Sequence, residues 1–335
     1  MPITVWSRRI DLELRHTFRL ARGASDSRQN LIVELEQDGL VGLGEAAPIA
    51  RYEQDWKSAA AAVDVMVARL DDLEAYREAV PKVGVAGQPA AQAALDMAVW
   101  DLAGKRLGAP IWRLLGLDRD RVPATSFTLG LDDPAAMVRK VREVSGFRSL
   151  KVKLGGPDDR AAIEAVRSVT DLPLRIDANE GWTLKEAHAN IEWLAKLGVE
   201  LVEQPLPAED LAGHKELRRF SPVPIFADES VSVAADIPRI AESFDGINIK
   251  LMKCGGLAEA LRMIATAKAH NLKVMLGCMV ESSLATTAAA QISPLVDYTD
   301  LDGSFLVSND PFVGARLEDG CLRPPNASGL GVTPC

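Results

Sequence analysis

From Val122 onward the hydrophobic pattern settles into short apolar runs separated by longer amphipathic stretches. The runs are VPATSFTL, SLKVKLG, LPLRIDAN, VELVEQP, VPIFADES, GINIKLM, LKVMLGCM and VDYTDLDG, eight in all. Between them lie segments with helical spacing, such as DRAAIEAVRSV, LKEAHANIEWLAKLG and LAEALRMIATAKAHN. Eight strands alternating with helices predict an α/β fold, a TIM-type (β/α) barrel over residues 122–305. No full helix fits after Asp302, so the last unit is expected to be short. The Gly/Pro-rich tail, 306–335, is expected to leave the barrel and pack back on the N-terminal region.

Residues 1–121 follow another pattern. ITVWSRRIDLEL, QNLIVELEQDG and LVGLGEAAP predict an antiparallel meander. KSAAAAVDVMVARLDDLEAYREAV and QPAAQAALDMAVWDLAGKRLG are Ala-rich, with Leu95, Ala98, Val99 and Leu102 at i, i+3, i+4 and i+7. Strands first and helices second make this third of the chain an α+β domain.

Charge removes some classes of partner. The net charge of −9 leaves no excess of Lys and Arg to neutralise phosphates, so no nucleic-acid partner is expected. No apolar run approaches a membrane span, and MPITVWSRRIDLEL has no uninterrupted apolar stretch to serve as a signal peptide. Cys254, Cys278, Cys321 and Cys335 have no CxxC spacing and read as reduced thiols of a cytoplasmic protein.

The predicted strands end in charge. Asp177, Glu203 and Asp228 close three successive runs, 26 and then 25 residues apart, about one strand plus one helix. In a barrel all three emerge at the C-terminal rim, where they can converge on one hard cation. With no His or Cys nearby, Mg²⁺ is favoured over Zn²⁺, and Mn²⁺ is compatible. Lys151 and Lys153 end the preceding strand on one face, and Lys250 ends the following one. Crowded together beside a cation, Lys151 and Lys153 are expected to have lowered pKa values, giving a neutral base. An oxygen-ligated metal flanked by lysines suits proton transfer at carbon. Glu281 follows the seventh strand, and Asp300 and Asp302 end the eighth. None of His16, His188, His214 or His270 ends a predicted strand, and they read as structural.

Lys151-Val152-Lys153, the separated acids and NIKLMKCGG resemble the muconate-lactonising-enzyme subgroup of the enolase superfamily, over almost the whole chain. That resemblance implies a Lys base with Mg²⁺ stabilising an enediolate, and makes the N-terminal domain a cap on the barrel. It implies Lys153 as one base, Lys151 as a stabiliser of the substrate carboxylate and Lys250 as the opposed acid/base. Lys253 is expected in the following loop. The segment MLGCMVESS lacks the histidine that the mandelate-racemase branch would carry there.

Asp300 and Asp302, two apart, face the same way and would hold a cation on the substrate. They resemble the pair that binds the free α-ammonium in dipeptide epimerases. The cap loops FRLARGASDSRQ and AAPIARYEQD would close over the barrel mouth with Arg22, Arg51 and Tyr52, and Thr128 and Met279 join the expected substrate-binding set. RLARG resembles the loop of L-Ala-D/L-Glu epimerases, which implies that Arg22 pairs with an acidic side chain. The expected partner is therefore a dipeptide, and the resemblance implies a Mg²⁺-dependent epimerase, an isomerase that inverts the α-carbon of its C-terminal residue by two-base proton transfer, of the L-Ala-D/L-Glu type, in cell-wall peptide turnover. Other dipeptide specificities, N-acylamino acid racemisation, o-succinylbenzoate synthesis and an inactive binding barrel remain open, and a homo-oligomer is compatible with the sequence.

Overall fold

The computed structural model describes residues 3–20, 23–70, 76–156 and 158–335. Three antiparallel strands open the chain: β1 (Thr4–Leu20), β2 (Gly23–Gln37) and β3 (Leu40–Ala46). β1 and β2 run further than the hydrophobic pattern predicts. Past a register shift between Glu13 and Phe18 they pair again, Phe18 with Ser25 and Arg19 with Ala24. The segment read as a loop is thus largely a hairpin arm. Its ladder is backbone pairing with few buried side chains, so period-two burial does not mark it.

β3 packs against the helix Pro89–Arg106 at unusually short range. A Cβ on Gly42 would stand 2.0 Å from the Ala98 carbonyl oxygen, and one on Gly44 1.8 Å from that of Ala94. Glycine on the strand and alanine on the helix let the two backbones touch, which explains the Ala-rich composition of that helix.

Eight parallel strands follow: β4 (Ser126–Leu129), β5 (Ser149–Lys153), β6 (Leu174–Asp177), β7 (Val199–Glu203), β8 (Ile225–Ala227), β9 (Gly246–Lys250), β10 (Lys273–Gly277) and β11 (Tyr298–Asp300). They neighbour one another in chain order, and a parallel bridge between Thr125 and Thr299 joins the last to the first. The result is a (β/α) barrel with an α+β cap. After β11 a single 3-10 turn, Gly303–Leu306, stands where an eighth helix would be. The chain then returns to the cap: Ser308 N donates to Glu13 O at 2.8 Å and Leu330 N to Asp101 Oδ1 at 2.7 Å. No helix among the described residues is long and apolar enough to cross a membrane.

Two buried carboxylates of the cap seat it on the barrel. The helix Leu257–Ala269 has no side-chain cap of its own at Gly256. Asp96 supplies one from the cap, its Oδ2 accepting from Leu257 N at 2.6 Å and Ala258 N at 3.3 Å. Glu45 does the same for the helix Ser283–Ile292, accepting from Ser282 N at 3.0 Å and Ala285 N at 3.3 Å. The unpaired N–H groups of a helix start are thereby satisfied across the domain boundary. Burial pushes the Asp96 carboxyl up to about 7. Asp96→Ala is expected to destabilise the protein by about 1–3 kcal/mol, because the N–H groups stay buried without their acceptor. Asp96→Asn, which keeps an oxygen there, should lose less, and chemical denaturation of the three proteins compares them.

Candidate active site

Strand register builds the site. In the parallel ladder Lys153 pairs with Asp177 and Asp177 with Glu203, so these three strand ends share one level. Gly277 pairs with both Lys250 and Asp300, setting those two at the level of the seventh strand's end. Asp228 follows β8 directly. Asp177, Glu203 and Asp228 are buried, and each offers an oxygen within 4.8 Å of the others'.

Groups behind the acids fix their orientation. Asn179 N donates to Asp177 Oδ1 at 3.0 Å and Asn248 Nδ2 to Glu203 Oε1 at 2.8 Å, while Asp228 is anchored through its main chain, its N donating to Gln204 Oε1 at 2.9 Å. Gln204 is itself fixed by its bond to Ser230 Oγ at 2.8 Å. In front stand the lysines. Lys153 Nζ lies 2.5 Å from Asp177 Oδ2 and Lys250 Nζ 2.8 Å from Asp228 Oδ2. Lys151 Nζ meets Glu203 Oε2 and Asp300 Oδ2 at 2.8 Å and Asp177 Oδ2 at 3.1 Å.

These pairings raise the pKa of Lys151, whereas the fall expected for it was that of a lysine beside a cation. Burial does oppose its charge, but Asp300, Glu203 and Asp177 outweigh burial and hold it well above the ordinary lysine range. The same contest raises Lys250, where Asp228 is the main opposing charge. The acids respond in kind. Burial works against ionised Asp177 and Asp228, yet the adjacent lysines keep both well below the usual carboxylate range. Glu203 goes the other way, pushed up to about 8 by burial and then by Asp177. Its Oε2 meets Lys151 as an ion pair but accepts no aligned hydrogen bond.

Three buried carboxylates facing each other, one of them held near neutrality and with an oxygen lacking a hydrogen bond, call for more positive charge at their centre. An all-oxygen donor set fits a hard divalent cation such as Mg²⁺.

Above the acids lies a cavity of about 540 Å³. Lys151, Lys153, Asp228, Lys250, Asp300 and Asp302 line its barrel side, with Thr128 and Met279 on its wall and Tyr52 reaching in from the cap. Asp300 accepts from Ser126 Oγ at 2.7 Å, and Asp302 from Thr128 N at 2.5 Å. Burial and then Asp300 push Asp302 up to about 7. A second cavity of about 370 Å³ shares the Thr128 wall but holds none of the strand-end lysines or acids.

Arg22 lies outside the described residues. Arg51 is at the cavity rim but is engaged in an ion pair with Glu180. Lys253 is not in a loop. It sits in the helical turn Leu251–Cys254, buried, and donates to both the carbonyl and Oδ1 of Asp228 at 2.5 Å and to Val231 O at 3.1 Å. The two lysines of NIKLMK thus grip one aspartate from two sides. Arg28 was also missed in the sequence. It lines the cavity from β2, half-buried, its guanidinium held by Ser27 O and by no carboxylate among the described residues. Burial lowers its pKa.

Comparison with known proteins fixes the family. Residues 3–116 match the N-terminal domain of mandelate racemase/muconate lactonizing enzyme, and residues 134–335 match the enolase C-terminal domain-like family. The chain is 40% identical to the L-Ala-D/L-Glu epimerase of Bacteroides thetaiotaomicron, covering 96% of this chain and 85% of that one. It is also 40% identical to the hydrophobic dipeptide epimerase of Roseobacter litoralis, over 96% of each. Among solved structures, the dipeptide epimerase of Enterococcus faecalis complexed with Mg and L-Leu-L-Tyr superposes with a TM-score of 0.90 at 34% identity, covering 99% of this chain and 100% of that one. Cap, barrel and strand-end chemistry together make this chain a member of the mandelate racemase/muconate lactonizing enzyme family of the enolase superfamily.

Proposed function

We propose that the protein is a Mg²⁺-dependent dipeptide epimerase that inverts the α-carbon of the C-terminal residue by two-base proton transfer. The observation that carries this reading is the position of the two lysines. β5 and β9 are four strands apart in a ring of eight, so Lys153 and Lys250 face each other across the cavity above the acid trio. A planar carbon between them can lose a proton to one face and gain one on the other.

Asp177, Glu203 and Asp228 would be the metal ligands. Bound there, a divalent cation would take the substrate carboxylate, stabilise the charge that builds on it, and replace the lysines as counter-charge to the acids. Lys151 adds a fixed positive charge beside that carboxylate. Lys153 and Lys250, no longer needed as counter-ions, act as base and acid, one of them neutral and the other protonated at the start of each turnover. Asp302, with Asp300 behind it, receives the substrate ammonium. That cation compensates a carboxylate that burial otherwise makes costly.

Side-chain choice falls to the cap. A half-buried guanidinium with no carboxylate partner among the described residues, lining the cavity, suits an anionic side chain, so Arg28 joins Arg22 as a cationic partner for that group. The leading substrate is an Ala-Glu dipeptide, in keeping with turnover of cell-wall peptides, and the L-Ala-D/L-Glu epimerase relative supports it. Phe18, Ile49, Met279 and Leu306 on the same cavity favour a second reading, an apolar side chain. The relative named hydrophobic dipeptide epimerase supports that one.

Chiral chromatography of L-Ala-L-Glu incubated with enzyme and Mg²⁺ tests the activity, and appearance of L-Ala-D-Glu is the expected result. Arg28→Ala is expected to lower kcat/KM for L-Ala-L-Glu by about 10- to 100-fold, the loss of a charge-assisted contact, and to spare a neutral dipeptide. An equal loss for both substrates would remove Arg28 from specificity.

A further inference from the structure

The thiol of Cys278 takes no part in the proton transfer, yet it sits under the acids that would hold the substrate ammonium. It follows β10 by one residue and lines the cavity. Gly303 N donates to its Sγ at 3.2 Å, and the thiol donates to Asp300 O at 3.3 Å. Asp302 Oδ1 is 3.9 Å from the sulfur, a second acceptor within reach of the same proton. The packing leaves no slack: a Cβ on Gly303 would stand 2.4 Å from Met279 O and 3.2 Å from the sulfur. One side chain therefore bonds the main chain on both sides of Asp302, at Asp300 and at Gly303. Burial, and then Glu281, Asp302 and Asp300, push the thiol well above its usual range, so it remains an S–H donor.

We infer that Cys278 is a positioning residue for the ammonium site, holding the Asp300–Gly303 turn so that Asp302 presents its carboxylate to the cavity. This rests on the reading of Asp300 and Asp302 as the ammonium site. Without the thiol, Gly303 N loses its acceptor and the turn loses its tie to β10. Asp302 would then be held from the opposite side alone, by Thr128 N.

The experiment compares L-Ala-L-Glu with N-propionyl-L-glutamate, which has the same shape but no ammonium. Dissociation constants of both are measured by calorimetry with Mg²⁺ for the wild type, Cys278→Ala, Cys278→Ser and Asp302→Asn. The wild type should prefer the dipeptide, and Asp302→Asn should erase most of that preference. Cys278→Ala should reduce it about fivefold or more, the scale of one or two hydrogen bonds. Cys278→Ser, able to donate and accept, should restore it to within about twofold. Cys278→Val, which fills the site with a side chain that neither donates nor accepts, replaces the alanine variant if that one does not fold. A Cys278→Ala preference equal to wild type, or an equal weakening of both ligands, overturns the inference while the ammonium site stands. An intact preference in Asp302→Asn overturns the ammonium site and the inference with it.

Discussion

Lys250→Ala is expected to abolish epimerisation, by about 10³-fold or more, while the enzyme still exchanges the α-hydrogen of one stereoisomer with solvent. Each lysine serves one face of the carbon. Removing Lys250 leaves Lys153 able to take and return a proton on its own face, so label enters without inversion. Lys153→Ala should give the mirror result, with exchange confined to the other isomer. The structure makes both variants clean tests of chemistry. Asp228 keeps Lys253 as a partner when Lys250 is gone, and Asp177 keeps Lys151 when Lys153 is gone. Neither change leaves a buried carboxylate alone, so the fold should persist, as circular dichroism would report. Proton NMR in D₂O on separate L,L and L,D substrates measures exchange and inversion together. Inversion by either variant at near wild-type rate would rule out a two-base scheme.

Glu203→Gln is expected to cost about 10³-fold in activity while changing the metal-free protein little. Glu203 is the acid that burial and Asp177 drive to about 8, so near neutral pH it gains little from ionising when no cation is bound. Glutamine matches the neutral form that burial favours and still accepts from Asn248. Against this it gives up the ion pair with Lys151, so the two effects oppose each other. With a cation the balance changes, because a charged ligand is lost from a three-carboxylate set. The stabilisation that saturating Mg²⁺ confers on the wild type, RT ln(1 + [L]/Kd), should shrink or vanish. Thermal unfolding with Mg²⁺ and with EDTA separates the two effects. A variant whose melting temperature rises with Mg²⁺ as much as the wild type's would show that Glu203 is not a ligand.

The barrel was legible because its strands are short, buried and apolar, and because their charged ends recur at a fixed interval. Parallel pairing in register turned that interval into a cluster, and the eight strands seen are the eight that the apolar runs predict. The hairpin arms of β1 and β2 were illegible because backbone pairing beyond the core leaves no apolar alternation. Arg28 was hidden for the same reason: in ASDSRQN it looks like a solvent-facing arginine, and only the fold of the hairpin over the barrel turns it toward the cavity. Lys253 was read as loop because β9 ends at Lys250. Its partner, Asp228, is 25 residues earlier in the chain, and only the helical turn Leu251–Cys254 brings the two together. The pKa of Lys151 depends on which charges stand beside it. The sequence suggested lysines crowded by one another and by a cation, whereas the structure encloses Lys151 among carboxylates.

Mass spectrometry of a library of L,L dipeptides incubated with the protein and Mg²⁺ in D₂O reads α-proton abstraction and side-chain choice together. Gain of one deuteron at the C-terminal residue, confined to a few dipeptides and abolished by EDTA, is the predicted result, and the side chains of those dipeptides define the specificity. No gain in any dipeptide, with Mg²⁺ shown to be bound, would rule out a dipeptide epimerase and point to N-acylamino acids and the o-succinylbenzoate precursor.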